Sequence, residues 1–292
     1  MNFCSEPEVP MTDEEFRLIR DVIHDHSGLF FDFDFKYLLE KRLSKRLISL
    51  QLNNFTEYYR FLKYGRTREQ ELSDTMDILT TNETYFFREA FQLKAFTEEI
   101  LPDVRSRKEK KGDRSLRIWS AGCSTGEEPY TIAILLLEMG CFDNWRIEVI
   151  GTDISNRVLQ HARKGIYGRY SFRTTEGRYI DRYFTKGEDS NFEVCDKVKG
   201  LVTISHLNLV DHSRLALLGT MDVVFCRNVI IYFDIESKKK VIDSFYKALS
   251  PNGYLLLGHS ESLMNITTSF ALKHLQNDLV YQKPETRGGV CR

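Results

Sequence analysis

Two patterns of apolar positions divide the chain. Over residues 1 to about 78 they recur at intervals of three and four, the period of amphipathic helices. Thr12-Asp-Glu-Glu15 has capping-box spacing and precedes Phe16, Ile19 and Ile23, and Ser27-Gly28 supplies a stop. A second helix is predicted over Lys36 to Leu50, with Leu39, Leu43, Leu47 and Leu50 as its stripe. Phe91 to Val104 gives another helix, followed by a charged loop over Arg105 to Arg114. The pattern then changes to short apolar runs alternating with helical segments. Strands are expected at Leu116–Ala121, Arg146–Ile154, Leu201–Leu209, Met221–Phe225 and Tyr254–Gly258, with helices at Glu128–Met139, Ser155–Lys164 and Ile235–Leu249. Ser250-Pro-Asn-Gly253 reads as a turn, and Phe270–His274 with Leu279–Gln282 as a closing hairpin. Such alternation predicts an α/β fold: a mostly parallel, doubly wound Rossmann-type sheet behind a small all-α N-terminal domain.

Two stretches break these patterns. Gly165 to Gly200, rich in Arg, Tyr and Gly, does not fit the alternation and is expected to form a small inserted subdomain. Thr80-Thr-Asn-Glu-Thr-Tyr-Phe-Phe-Arg88 has no clear period. Plain linkers seldom carry three aromatic residues in a row, so this one is expected to pack against something. The expected boundaries are 1–78 for the helical domain, 79–90 for the linker and 91–292 for the α/β domain, with the insert at about 165–200.

Charge changes the picture locally. The 292-residue chain has a formal net charge of -1, which gives no global reason to expect a nucleic-acid partner. From Lys36 to Arg68, however, nine basic residues face two acids, Glu40 and Glu57. Lys41, Arg42, Lys45 and Arg46 mark a basic helix face: either a solvated surface or a docking face for an acidic macromolecule. No apolar run is long enough to span a membrane, and Met1 to Pro10 is unlike a signal peptide. The six cysteines (4, 123, 141, 195, 226, 291) form no C-x-x-C pair and are expected as reduced thiols in a cytoplasmic protein. The dispersed histidines suggest no metal site.

The candidate chemistry centres on Leu116 to Pro129, where a strand, a glycine turn and a helix start follow one another. Gly122-Cys-Ser-Thr-Gly126 also matches G-x-S-x-G, the nucleophile elbow of hydrolases, with Ser124 as nucleophile and His259 with Asp222 or Asp234 as partners. That elbow normally follows several strands, whereas here it follows the first, with no His-Gly-Gly segment upstream. In the competing reading the turn holds a cofactor. Asp153 ends the second strand where an acid takes ribose hydroxyls, Asn208 ends the third, and Arg227-Asn228 ends the fourth, all on one carboxyl edge. Glu127 stands where a dinucleotide site would leave open N–H groups for pyrophosphate. An acid there suits a cationic ligand such as S-adenosylmethionine. The Asn/Asp-Pro-Pro-Tyr/Phe segment of base-modifying methyltransferases is absent from Arg227-Asn-Val-Ile-Ile-Tyr232, which weighs against a nucleic-acid base as acceptor.

Taken together, Thr81-Asn-Glu-Thr-Tyr-Phe-Phe-Arg-Glu89, Ser120-Ala-Gly-Cys-Ser-Thr-Gly-Glu-Glu-Pro-Tyr130, Gly151-Thr-Asp-Ile154, Cys226-Arg-Asn-Val-Ile-Ile-Tyr-Phe233 and Gly258-His-Ser-Glu261 resemble, in order, the motifs of the CheR family of chemotaxis receptor glutamate methyltransferases. The resemblance implies a class I methyltransferase domain with an inserted β-subdomain, an S-adenosylmethionine cofactor without metal, and a methyl-accepting receptor's cytoplasmic domain as partner. It further implies that Asn82, Thr84, Arg88, Glu127, Asp153, Asn208, Leu209, Arg227 and Asn228 hold the cofactor. Arg88 and Tyr232 are the candidates for positioning the acceptor carboxylate, with Arg88 able to serve the cofactor instead. Lys41, Arg42, Lys45 and Arg46 become the receptor-docking face. Neither nucleic acid nor membrane insertion is expected, and the protein is expected to be a monomer. Members that grip a receptor C-terminal pentapeptide carry a longer Gly-containing loop than Phe184-Thr-Lys-Gly-Glu-Asp189, so no such tether is expected. A cofactor-binding regulatory protein without turnover remains the alternative, ahead of a Ser124 esterase.

Overall fold

The computed structural model describes residues 9–285, so Cys4, Cys291 and the first residues of the acidic N-terminal segment lie outside the described residues. Four helices come first: α1 (Asp13–Ser27), α2 (Lys36–Ser49), α3 (Phe55–Tyr64) and α4 (Arg68–Leu79). The capping box at the start of α1 forms as its spacing predicts, with the Thr12 hydroxyl accepting from the Glu15 N–H and the Glu15 carboxylate accepting from the Thr12 N–H. The same carboxylate also accepts from the N–H and hydroxyl of Thr56, which ties α1 to α3. Gly28 ends α1 at φ 74°, a conformation that favours glycine. Phe16, Ile19, Ile23, Leu39, Leu43, Leu47 and Tyr58 close the core of this bundle, while Leu50 is only half-buried.

The next helical stretch is longer than its periodicity predicts. α5 (Ala90–Ala95) runs through a π-helical turn at Phe96–Ile100 into α6 (Leu101–Glu109). The segment from Arg105 therefore starts as helix, held by the Arg107–Asp103 and Arg105–Glu109 pairs one turn apart.

The α/β part follows as β1 (Ser115–Ala121), α7 (Glu127–Met139), β2 (Arg146–Asp153), α8 (Asn156–Lys164), β3 (Ile166–Tyr167), α9 (Gly177–Tyr183), β4 (Phe184–Lys186), β5 (Phe192–Val194) and α10 (Asp196–Lys199). After these come β6 (Val202–His206), α11 (His212–Leu215), β7 (Met221–Cys226), α12 (Ile235–Ala248), β8 (Leu249–Leu257), β9 (Ala271–His274) and β10 (Leu279–Gln282). The main sheet has seven strands in the order β6-β2-β1-β7-β8-β10-β9. Its first five strands are parallel, and β10 runs antiparallel to both of its neighbours. The expected Rossmann-type sheet and closing hairpin are therefore present. The segment read as a turn at Ser250–Gly253 is instead absorbed into β8 opposite a register shift in β7. Strand order reverses between β1 and β7, and such a switch point opens a crevice at the strands' carboxyl ends. Among the described residues, no helix is long and apolar enough to cross a membrane.

β3, β5 and β4 form a separate antiparallel sheet, the expected insert. Its core is completed by the linker. Phe86 is fully buried, stacks on Phe172 at 5.0 Å, and meets the edges of Tyr167 and Phe184 at 4.9 and 5.0 Å. Its N–H donates to the Ser171 carbonyl and its carbonyl accepts from the Thr174 hydroxyl. Phe87 stacks on Tyr179, and the Arg173 guanidinium lies 3.5 Å from the Tyr85 ring centre. The aromatic run thus packs, as its composition predicts, and what it packs against is the insert. Truncation of Phe86 (Phe86→Ala) is expected to cost about 3–5 kcal/mol, read as a lower midpoint in chemical denaturation.

Candidate functional site

A cavity of about 660 Å³ lies at the carboxyl ends of β1, β2, β6 and β7, walled also by the N-terminal segment from Ser27 to Leu38 and by the linker from Leu79 to Thr84. The N-terminal helices are built onto this edge. The Phe30 N–H donates to the Tyr232 carbonyl, Leu29 bridges Phe233, and the Asn208 side-chain amide donates to the His26 carbonyl at 2.6 Å.

The turn after β1 needs its glycine. Gly122 has φ 78°, and a Cβ there would stand 2.4 Å from a Val229 methyl. The Gly122 and Cys123 N–H groups both donate to the Thr152 carbonyl. Ser124, at φ 49°, gives its N–H to Asp153 Oδ2 at 2.9 Å and its hydroxyl to the Asn82 carbonyl at 3.3 Å. Asp153 Oδ1 accepts from the Ser155 N–H. Burial pushes the Asp153 carboxyl above its ordinary range despite these donors.

The two acids opening α7 separate. Glu127 does not line the cavity. It is buried, and its carboxylate accepts from the Thr125 and Ser171 hydroxyls. Glu127 therefore stands one layer behind the cavity wall, with Ser171 of the insert hydrogen-bonded on that face of the helix. Glu128 lines the cavity instead, accepting from the Ser120 hydroxyl at 2.7 Å and from Arg227 Nε at 2.6 Å.

The tip of β7 is held from behind. Arg227 is buried and also donates to the Arg88 carbonyl, with Glu89 at 3.4 Å. Asn228 sits at φ 59°, a strained value for a residue with a side chain. Glu261 supplies the restraint: its carboxylate accepts from the N–H groups of Asn228, Val229, Ile231 and Gly258. Burial nevertheless raises the Glu261 carboxyl. Asn228 Oδ1 is buried in this wall with no partner, an acceptor left over by the protein itself. Leu209 and Asn208 line the β6 side. Asn82, Thr84 and Arg88 line the linker side, where Arg88 Nη1 donates to the Glu83 carbonyl. Tyr232 lines the cavity and is partly exposed.

The structure thus brings together all the expected cofactor residues except Glu127. It adds Glu128 in the wall and Glu261 behind it, both inside motifs quoted above, Ser120–Tyr130 and Gly258–Glu261. The basic helix face divides. Lys41 and Lys45 are exposed. Arg42 instead donates to the Leu79 carbonyl, and Arg46 pairs with the buried Glu71 and with Asp74. Those two guanidinium groups hold α2 to α4, because α4 presents buried acceptors that need donors. No triad forms around Ser124. Asp222 pairs with Lys108, Asp234 with His24, and His259 lies 3.8 Å from Asp278.

Chemically, the turn end of the cavity is rich in acceptors: Asp153, Glu128 and the unpartnered Asn228 Oδ1. Arg227 is already spent on carboxylates. That acceptor set fits a hydroxylated, cationic ligand and gives a polyphosphate little to bind. Its volume is in the range of sites for ligands of cofactor size. Among the described residues, no group of three or more His, Cys, Asp or Glu could hold a metal ion.

Comparison with known proteins agrees along the chain. The family model for the all-alpha domain of CheR methyltransferase matches residues 14–80, and that for its SAM binding domain matches residues 82–278. The chain is 37% identical over 278 residues to chemotaxis protein methyltransferase 2 of Vibrio cholerae, covering 95% of each chain. It is 37% identical over 253 residues to the chemotaxis protein methyltransferase of Borreliella burgdorferi, covering 86% of this chain and 88% of that one.

The placement of Glu127 has a measurable consequence. Burial raises its carboxyl above the ordinary range. The folded state therefore binds the proton more tightly than the unfolded chain, and stability contributed by the neutral form is lost as pH rises from the unfolded value through the folded one. Glu127→Gln, neutral at every pH, is expected to gain melting temperature relative to the unsubstituted protein as pH rises through that window, with no gain below it. Paired thermal melts across pH check this.

Proposed function

The chain belongs to the CheR methyltransferase family and is an S-adenosylmethionine-dependent methyltransferase; we propose that it methylates glutamate side chains on the cytoplasmic helices of chemotaxis receptors, giving methyl esters. The observation that carries this reading is the shared wall of the cavity. The helical domain and the methyltransferase sheet, each matched by its own CheR model, enclose the same acceptor-rich cleft.

When bound, S-adenosylmethionine supplies a methyl group made electrophilic by the sulfonium. Asp153 is placed for its ribose hydroxyls, and Glu128 and Asn228 Oδ1 for its cationic end. Asn82, Thr84, Asn208 and Leu209 complete the wall. Glu127 acts one layer back, fixing the start of α7 through Thr125 and Ser171.

A solvated glutamate, with a pKa of about 4.3, is already a carboxylate at neutral pH. Its attack needs no general base. Placing the two reactants in line and excluding water is what remains for the protein to do. Arg88 and Tyr232 are the groups we assign to the acceptor carboxylate. Arg88 is held by the Glu83 carbonyl and lies 5.6 Å from the Tyr85 ring centre. A loose hold is the useful one, since binding the nucleophile too tightly in the ground state would slow the reaction. The same guanidinium could instead take the cofactor's carboxylate.

The exposed Lys41 and Lys45 are the part of the basic helix we assign to the receptor, whose methylatable helices are acidic. We place the action in the cytoplasm, where those helices lie. The short β4–β5 connection, closed by the Gly187 N–H on the Asn191 carbonyl, supports a subdomain without a pentapeptide tether.

The decisive test is incubation with labelled S-adenosylmethionine and a receptor cytoplasmic fragment. Base-labile label on glutamate is expected. Cofactor binding without transfer would establish the regulatory alternative instead. In the same assay, Lys41→Glu with Lys45→Glu is expected to raise the KM for receptor by about tenfold through lost electrostatic complementarity, with cofactor affinity kept. Arg46→Glu is expected to destabilise the helical domain by stranding Glu71, which a thermal melt reads directly.

A further inference from the structure

Three cations stand in the cavity wall and differ in how far their charge is spent. Arg227 is bound by Glu128, Glu89 and a carbonyl. Arg88 donates to the Glu83 carbonyl. The ammonium of Lys238, in the first turn of α12, has no hydrogen-bond or ion-pair partner among the described residues. The acids near it in sequence and along the rim are engaged elsewhere. Asp234 caps α12 and pairs with His24, Glu236 pairs with Lys239, and Glu261 accepts four backbone N–H groups. Two exposed acids line the wall: Glu83 on the linker, paired with Arg173, and Asp32 on the N-terminal lip. The two lips therefore carry opposite charge.

A second groove, of about 350 Å³, leaves the same rim. It shares Ile231, Ile235 and Lys238 with the cavity and continues to Met264 and Ile266. Three of its apolar members are bare, Ile231 at 44% exposed, Ile235 at 61% and Met264 at 78%, over a buried Ile230 and a half-buried Ile266. Adjacent large apolar side chains left in water mark a contact surface. This one runs into the cavity that holds the reacting groups, and an unspent cation stands where the two meet.

Resting on the function proposed above, we propose that this groove and Lys238 seat the acceptor helix: an apolar side chain lies over Ile235 and Met264, an acidic side chain pairs with Lys238, and the target glutamate enters the cavity past Tyr232. Residues three or four apart on a helix stand about 5–6 Å from one another on one face. A single helix face can therefore serve cavity, cation and groove together. The acceptor glutamates selected are those with an acidic and an apolar neighbour at that spacing. Lys238 is a positioning residue in this scheme and takes no part in bond making.

The test uses the full-length protein, a receptor cytoplasmic fragment and labelled S-adenosylmethionine, with cofactor affinity measured separately by calorimetry. Lys238→Glu is expected to raise the KM for the fragment about tenfold or more, and Met264→Glu to do the same. Lys238→Arg is expected to restore the KM, and cofactor affinity is expected to stay within about twofold. An unchanged KM in Lys238→Glu overturns the proposal, as does an equal loss of cofactor affinity, which would make the residue merely structural. Direct binding of an acidic amphipathic helical peptide separates this from the underlying function. Binding that depends on Lys238 without transfer would uphold the groove and sink the methylation reading. Transfer that ignores Lys238 would do the reverse, and absence of both binding and transfer would overturn both.

Discussion

A carboxylate cannot be taken out of water without donors to replace the water, and the cleft is built by meeting that demand three times. Asp153 takes the N–H groups of Ser124 and Ser155, which sets the turn after β1 against the tip of β2. Glu128 takes Ser120 and Arg227, which joins the start of α7 to the tip of β7. Glu261 takes four backbone N–H groups and holds Asn228 at a left-handed φ. Three strand tips are thereby fixed relative to one another without any ligand. Asp153 and Glu128 also give the turn end of the cavity its acceptor-rich character, so scaffold and chemistry are one arrangement.

The linker extends that arrangement outward. Asn82 offers its carbonyl to Ser124 at the cofactor turn, and four residues later Phe86 fills the core of the insert. Between them the chain passes the cavity wall. The cofactor cleft, the insert and the helical domain are thus coupled by a segment of nine residues, from Thr80 to Arg88, with almost no regular structure of its own.

Much of the fold was legible because its signals are local. The Thr12 box, the Gly28 stop and the strand tips at Asp153 and Arg227 each announce themselves within a few residues. What stayed hidden depended on distant partners. Glu127 and Glu128 are neighbours on a helix, about 100° apart, and the insert, arriving with Ser171, engages the first and leaves the second in the cavity wall. Arg42 and Arg46 look like two more charges of a solvated face. Their acceptors lie on α4, at Glu71, Asp74 and the Leu79 carbonyl, beyond the stretch whose charge was counted. The length of α5 with α6 was underread because ion pairs one turn apart support a polar helix that carries no apolar stripe.

The burial of Phe86 also bears on how such a protein can be rebuilt. The insert looks like a cassette bounded by Gly165 and Gly200, but excising it there would leave an aromatic ring of the linker without a core and carry the disturbance to Asn82. A module grafted from a relative would have to bring a matching socket for that ring. The β4–β5 connection has no such tie to the linker, so new recognition loops are better spliced at Gly187–Asn191, where the hairpin closes on itself. The permissible cut points in this fold are set by aromatic residues outside the segment being exchanged, Phe86 first among them.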